Sequence, residues 1–114
     1  MVVVNLALAT ICFLGQCYPA LVGKDTPRGE FTLIRRLTES PGYGGDVLQF
    51  KETEDSVVAV HRVWLLRPSE RRAERLTSGD VKQRTFITNG CINIDPAVYK
   101  SLVECCSNST IFIK

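Results

Sequence analysis

Thr88-Asn89-Gly90-Cys91-Ile92-Asn93, running on into Ile94-Asp95-Pro96, decides how this chain is read. Gly90 has no side chain, so the backbone can turn sharply beside Cys91 and another molecule can come close to the sulfur. Asp95 then Pro96 is a helix start, a capping side chain followed by a residue whose missing N–H costs nothing at the first helical position. The spacing predicts a helix over 95–106, with Val98, Leu102 and Cys105 or Cys106 on one stripe, and a closing strand over 110–113. A thiol in such a turn is a candidate nucleophile.

Working outward, the rest of the chain reads as mainly β. Val2, Val3 and Val4, then Thr10 and Ile11, favour strands over 2–6 and 10–13, with Gly15-Gln16 turning into a third over 17–22. The same apolar run raises the question of an export signal or a membrane span. No lysine or arginine precedes Lys24, and Asn5, Gln16 and Pro19 interrupt the run, so the expectation is strand, with neither a signal peptide nor a stable membrane span. Further strands are expected over 30–36, 46–51 and 56–64, separated by the polar turn 23–29 and the loop Ser40-Pro41-Gly42-Tyr43-Gly44-Gly45. In the strand over 56–64, Val57, Ala59, His61 and Val63 share a face. Pro68 to Leu76 reads as a short polar helix capped by Ser69, inserted before the cysteine turn.

The chain has 114 residues and a net charge of +2, which points to one domain over 1–114 and gives no reason to invoke nucleic acid. Five cysteines, an odd number, leave at least one thiol free if the others pair within the chain. Cys12 and Cys17 are placed to face each other across a hairpin, whereas Cys105 and Cys106, being adjacent, are poorly placed to bridge one another. All four read as structural. One histidine and no CxxC pair make zinc a bad fit, and neither metal nor cofactor is expected.

A cysteine becomes a useful nucleophile when a neighbour takes its proton, and imidazole is the usual partner. The chain offers only His61. A fold that laid the Ile87 segment beside the Val57 strand would bring His61 to Cys91, and main-chain N–H groups around Asn89, Gly90 and Cys91 would be candidates to hold an oxyanion. Read from the residues alone, His61 is more often a satisfied core histidine than a base.

His61, then Thr88, Gly90, Cys91, Ile92 and Asn93, resembles the signature of the L,D-transpeptidases, in which a histidine is followed at an interval by Ser or Thr, His, Gly, Cys, an apolar residue and Asn. Thr26-Pro27-Arg28-Gly29-Glu30-Phe31 is similar to that family's Thr-Pro-x-Gly-x-Phe segment and stands in the same order. The resemblance covers essentially the whole chain. It implies a β-sandwich of mixed sheets with one packed helix and a short inserted helix, and a cysteine acyltransferase acting on peptidoglycan tetrapeptide stems in the periplasm or cell envelope. By position, Cys91 is the nucleophile, His61 the general base and later acid, Asn89 and Gly90 oxyanion support, and Thr88 and Asn93 loop supports. Acylation by a β-lactam is a further implication; the oligomeric state is left open.

Two departures stand out. Asn89 occupies the place of the family's second histidine, and it can donate a hydrogen bond but cannot titrate. The interval from His61 to Thr88 is also longer than the family's, and the excess is the arginine-rich segment, where Arg67, Arg71, Arg72 or Arg75 are candidates to bind stem carboxylates. The alternatives are a silent wall-binding scaffold of the same fold, an L,D-carboxypeptidase in which water is the acceptor, and a cysteine-rich module with Cys91 in a disulfide.

Overall fold

The computed structural model describes residues 1–114 and contains two mixed β-sheets facing each other across an apolar core. The first sheet has the order β3-β2-β1-β9-β4, formed by β1 (Val2–Asn5), β2 (Thr10–Phe13), β3 (Gln16–Pro19), β4 (Gly29–Thr32) and β9 (Thr110–Ile113). β1 runs parallel to β9 and antiparallel to β2. The second has the order β5-β6-β7-β8, formed by β5 (Ile34–Leu37), β6 (Asp46–Glu52), β7 (Val57–Arg62) and β8 (Ile92–Ile94). Here β7 and β8 are the parallel pair.

Alternation places Val2, Val4, Ile11, Phe13, Ile111 and Ile113 of the first sheet inward, against Leu48, Val60, Ile92 and Ile94 of the second. Each such side chain contributes about 1.5–3 kcal/mol when removed from water. Helix α2 (Pro96–Cys106) packs its buried residues Tyr99, Leu102 and Cys106 on this core. Its start is as expected: the Asp95 carboxylate accepts the Ala97 N–H at 2.9 Å, with Pro96 in the first turn. Tyr99, rather than Val98, leads the buried stripe.

Several expectations are corrected. The strand expected over 30–36 is two strands in different sheets, because Leu33, fully buried, is where the chain crosses from one to the other. The third strand ends at Pro19, and Leu21 instead pairs with Asn93 at the edge of β8, its N–H donating to Asn93 O at 2.8 Å. The polar helix is broken: Pro68–Glu70 is a 3-10 turn, Arg71 takes a left-handed conformation, and α1 (Arg72–Thr77) follows without a side-chain cap, so Ser69 caps nothing. Cys12 and Cys17 face each other across the β2–β3 hairpin, as expected, and are joined there in a disulfide. Cys105 and Cys106 are also bonded to each other, against expectation, where α2 ends and its last turn has no following turn to hold it.

No helix is long and apolar enough to cross a membrane.

Candidate active site

β7 and β8 lie side by side with Val60 opposite Ile92 and His61 opposite Asn93, so the histidine strand borders the cysteine turn. Side chains alternate along a strand, and therefore Cys91, Asn93 and His61 project from the same face of this pair.

His61 is 2% exposed. Its Nδ1 lies 2.6 Å from the Arg62 carbonyl oxygen, which can only accept, so Nδ1 carries the proton and Nε2 holds the lone pair. Nε2 faces the Asn93 carboxamide nitrogen at 3.5 Å, and the Tyr43 ring meets the imidazole edge-on with centroids 4.7 Å apart. Burial pushes the imidazole down to about 4; the bond to Arg62 O opposes this, and the Arg72 charge adds to it. His61 is thus a neutral base at pH 7, held in one tautomer.

Cys91 is the one cysteine outside a disulfide and is half-buried. Its position is set by the turn before it. The Thr88 hydroxyl donates to Cys91 O at 2.6 Å and accepts the Gly90 N–H at 3.2 Å, while Gly90 adopts φ +130°, which a side chain would strain. From the other side Gly23 bridges to Thr88, so closely that a Cβ on Gly23 would stand 2.1 Å from the Thr88 carbonyl oxygen. The Thr26 hydroxyl in turn accepts the Gly23 N–H at 2.9 Å, which makes the Thr26-Pro27 segment a brace for the cysteine turn.

The thiol donates to Val57 O at 3.9 Å, and no hydrogen bond joins it to His61. Burial pushes the thiol up, partly offset by the Ala59 N–H and the Arg72 charge. The resting state is therefore a neutral thiol beside a neutral imidazole, not an ion pair.

Both groups open onto a cleft with two arms. Tyr43, Val57, His61 and Cys91 line both; one arm, about 320 Å³, continues past Arg36, Thr38 and Gln49, and the other, about 340 Å³, past Trp64, Arg67, Arg72 and Asn89. Of the arginines read as substrate contacts, Arg67 lines the second arm and is exposed. Arg72 lines it too but is tied down by Glu70 and Asn93. Arg71 is a correction: its left-handed backbone turns it away, to pair with Glu74 outside the cleft. Arg75 donates to Glu70 O at 2.9 Å.

The sequence reading missed Tyr43 and Trp64. Their signal was the glycine-rich loop, since a Cβ on Gly42 would stand 2.2 Å from Trp64 Nε1. No three His, Cys, Asp or Glu side chains converge as metal ligands.

No protein-family model matches the sequence, and no curated protein sequence does. Solved structures do resemble it. An L,D-transpeptidase from Mycobacterium tuberculosis superposes with a TM-score of 0.64 at 11% identity, over 99% of this chain and 60% of that one. One from Xylanimonas cellulosilytica gives 0.61 at 16%, over 99% and 59%. An LD-transpeptidase in complex with imipenem gives 0.62 at 18%, over 99% and 57%. The architecture is a mainly β, mixed-sheet sandwich. More particularly, it is the fold of L,D-transpeptidase catalytic domains, and the chain spans about three-fifths of the length of these neighbours.

Proposed function

We propose that residues 1–114 form one catalytic unit, a peptidoglycan L,D-transpeptidase of the cell envelope that works through a thioester on Cys91. The observation that carries this reading is the free thiol and the single histidine on one face of adjacent parallel strands, both opening onto the same cleft. Rotation of the thiol away from Val57 O, with the long 3.5 Å contact from the Asn93 NH2 giving way at His61 Nε2, would present the thiol proton to that lone pair; catalytic hydrogen bonds are often unmade before substrate arrives.

In this reading, His61 Nε2 takes the Cys91 proton as the sulfur attacks the carbonyl carbon of the third residue of a tetrapeptide stem. The oxyanion is held by Asn89 and the main chain at Cys91, since the Gly90 N–H is already engaged by Thr88. The tetrahedral intermediate collapses, the C–N bond breaks, and the imidazolium returns its proton to the departing amine of D-alanine. An amine of a second stem then attacks the thioester, gives its proton to His61 and expels the sulfur, which takes that proton back from the imidazolium as the new amide leaves. Water in place of the amine gives a carboxylate, the L,D-carboxypeptidase outcome. Arg67 is the side chain best placed to meet a stem carboxylate.

The wild-type protein should release D-alanine from a tetrapeptide stem, and Cys91→Ala and His61→Gln should not. The unmade bond between thiol and imidazole favours a second reading, a silent wall-binding scaffold. That reading expects binding to peptidoglycan with no D-alanine released by the wild type.

A further inference from the structure

The segment between β7 and β8 puts one guanidinium into the site. Arg72, at the first position of α1, is held at three points: Nε donates to Glu70 Oε1 at 3.1 Å, Nη1 donates to Asn93 Oδ1 at 3.0 Å, and the planar group lies over the Trp64 ring, 5.2 Å from its centroid. Asn93 Oδ1 also accepts the Trp64 main-chain N–H at 3.0 Å. Two donors converging on one atom fix which end of the carboxamide is oxygen, and so the NH2 end is the one turned to His61 Nε2.

We propose that Arg72 is a positioning residue: it locks Asn93 so that the carboxamide NH2 holds the His61 ring by Nε2, and it sets a positive charge beside the Cys91 thiol. Only its consequence for turnover rests on the acyl-transfer reading; the placement can be tested without a stem peptide. It reassigns a side chain that the sequence offers as a substrate contact, and it gives the extra segment a task inside the site.

The groups facing His61 are the Arg62 carbonyl on its own strand, Tyr43 from the loop before β6, Asn93 on β8, Cys91 at the mouth of β8, and Arg72 from α1, itself paired with Glu70. Arg72 is the cation acting on both reacting groups: it disfavours the imidazolium and favours the thiolate. Its removal should therefore move the two groups' titrations in the same direction, upward. A side chain needed only for packing would move neither.

The test uses the whole chain. His61 is the only histidine, so its imidazole titration is read by NMR without assignment ambiguity. In Arg72→Gln the His61 midpoint should rise above its wild-type value and stay well below the ordinary 6.5, because burial, the larger cause, is unchanged. The cross-peak between the Asn93 NH2 and the imidazole should weaken, because only the Trp64 N–H then holds Asn93 Oδ1, and alkylation of Cys91 by iodoacetamide at pH 7 should slow by about threefold or more. Arg72→Lys keeps the charge and loses the fork, so alkylation should recover to within about twofold of wild type while the cross-peak stays weakened. Arg72→Gln folding normally with the midpoint, the cross-peak and the alkylation rate all unchanged would overturn the proposal. If Arg72→Gln does not fold, a cross-peak of wild-type intensity in Arg72→Lys does the same. A wild type that alkylates as expected but never acylates with a stem defeats the acyl-transfer reading and leaves this one standing.

Discussion

The carbonyl of Arg62 accepts the Nδ1 proton of His61 at 2.6 Å, and this main-chain contact fixes the tautomer of the only histidine in the site. A buried imidazole held neutral has a thermodynamic cost on acidification. The folded-state value, about 4, lies below the ordinary 6.5, so the unfolded chain binds the proton first. Stability from this group is fully present above about pH 6.5 and is lost as the pH falls toward 4, by at most about 3 kcal/mol. Urea titrations over that range should show the midpoint falling with pH, and falling less in His61→Gln.

Gly23 and Thr88 test the brace beneath the cysteine turn. A methyl at Gly23 would collide with the Thr88 main chain, which cannot move without carrying the Gly90-Cys91 turn with it. Gly23→Ala should cost about 1–3 kcal/mol and slow Cys91 acylation at least about tenfold. Gly79→Ala, which meets nothing within 4 Å, should leave both unchanged. Thermal melts and acylation rates on the two variants decide the point.

Asp46 tests the support behind His61. It is buried and accepts from Arg35 and Arg62 at 2.9 Å and from the Tyr99 hydroxyl at 3.0 Å, while Arg62 Nη1 also reaches the Tyr43 carbonyl at 3.0 Å. Burial alone would raise the carboxyl; the bonds from Arg35, Arg62 and Tyr99 outweigh it and hold the group below the ordinary carboxylate range. Asp46→Asn should destabilise by about 2 kcal/mol, discounted because both arginines reach solvent. It should also loosen Tyr43 against His61, visible as a change in the histidine ring resonances.

Much of this architecture was legible because local chemistry and tertiary structure agree. Asp95-Pro96 starts α2 whatever surrounds it, Leu102 falls on its buried stripe, and Cys12 and Cys17 face each other wherever residues 10–19 form a hairpin. β8 was not legible, since three residues after a glycine turn become a strand only when β7 lies alongside. Nor was the crossing at Leu33, where the only local sign is the apolar doublet Leu33-Ile34, a one-residue slip in the alternation. Within the site, His61, Cys91 and the Thr88 turn announce themselves by residue type. Arg72 does not: the sequence offers it only as one of four arginines for a stem carboxylate, and its place against Asn93 and Trp64 depends on the fold.

The decisive measurement is intact-mass spectrometry of the protein after brief incubation with a tetrapeptide stem. Acylation should give a mass gain equal to the stem less its terminal D-alanine, mapped to Cys91, reversed by hydroxylamine and lost in Cys91→Ala. A wild-type protein that binds the stem and stays at its original mass would contradict it.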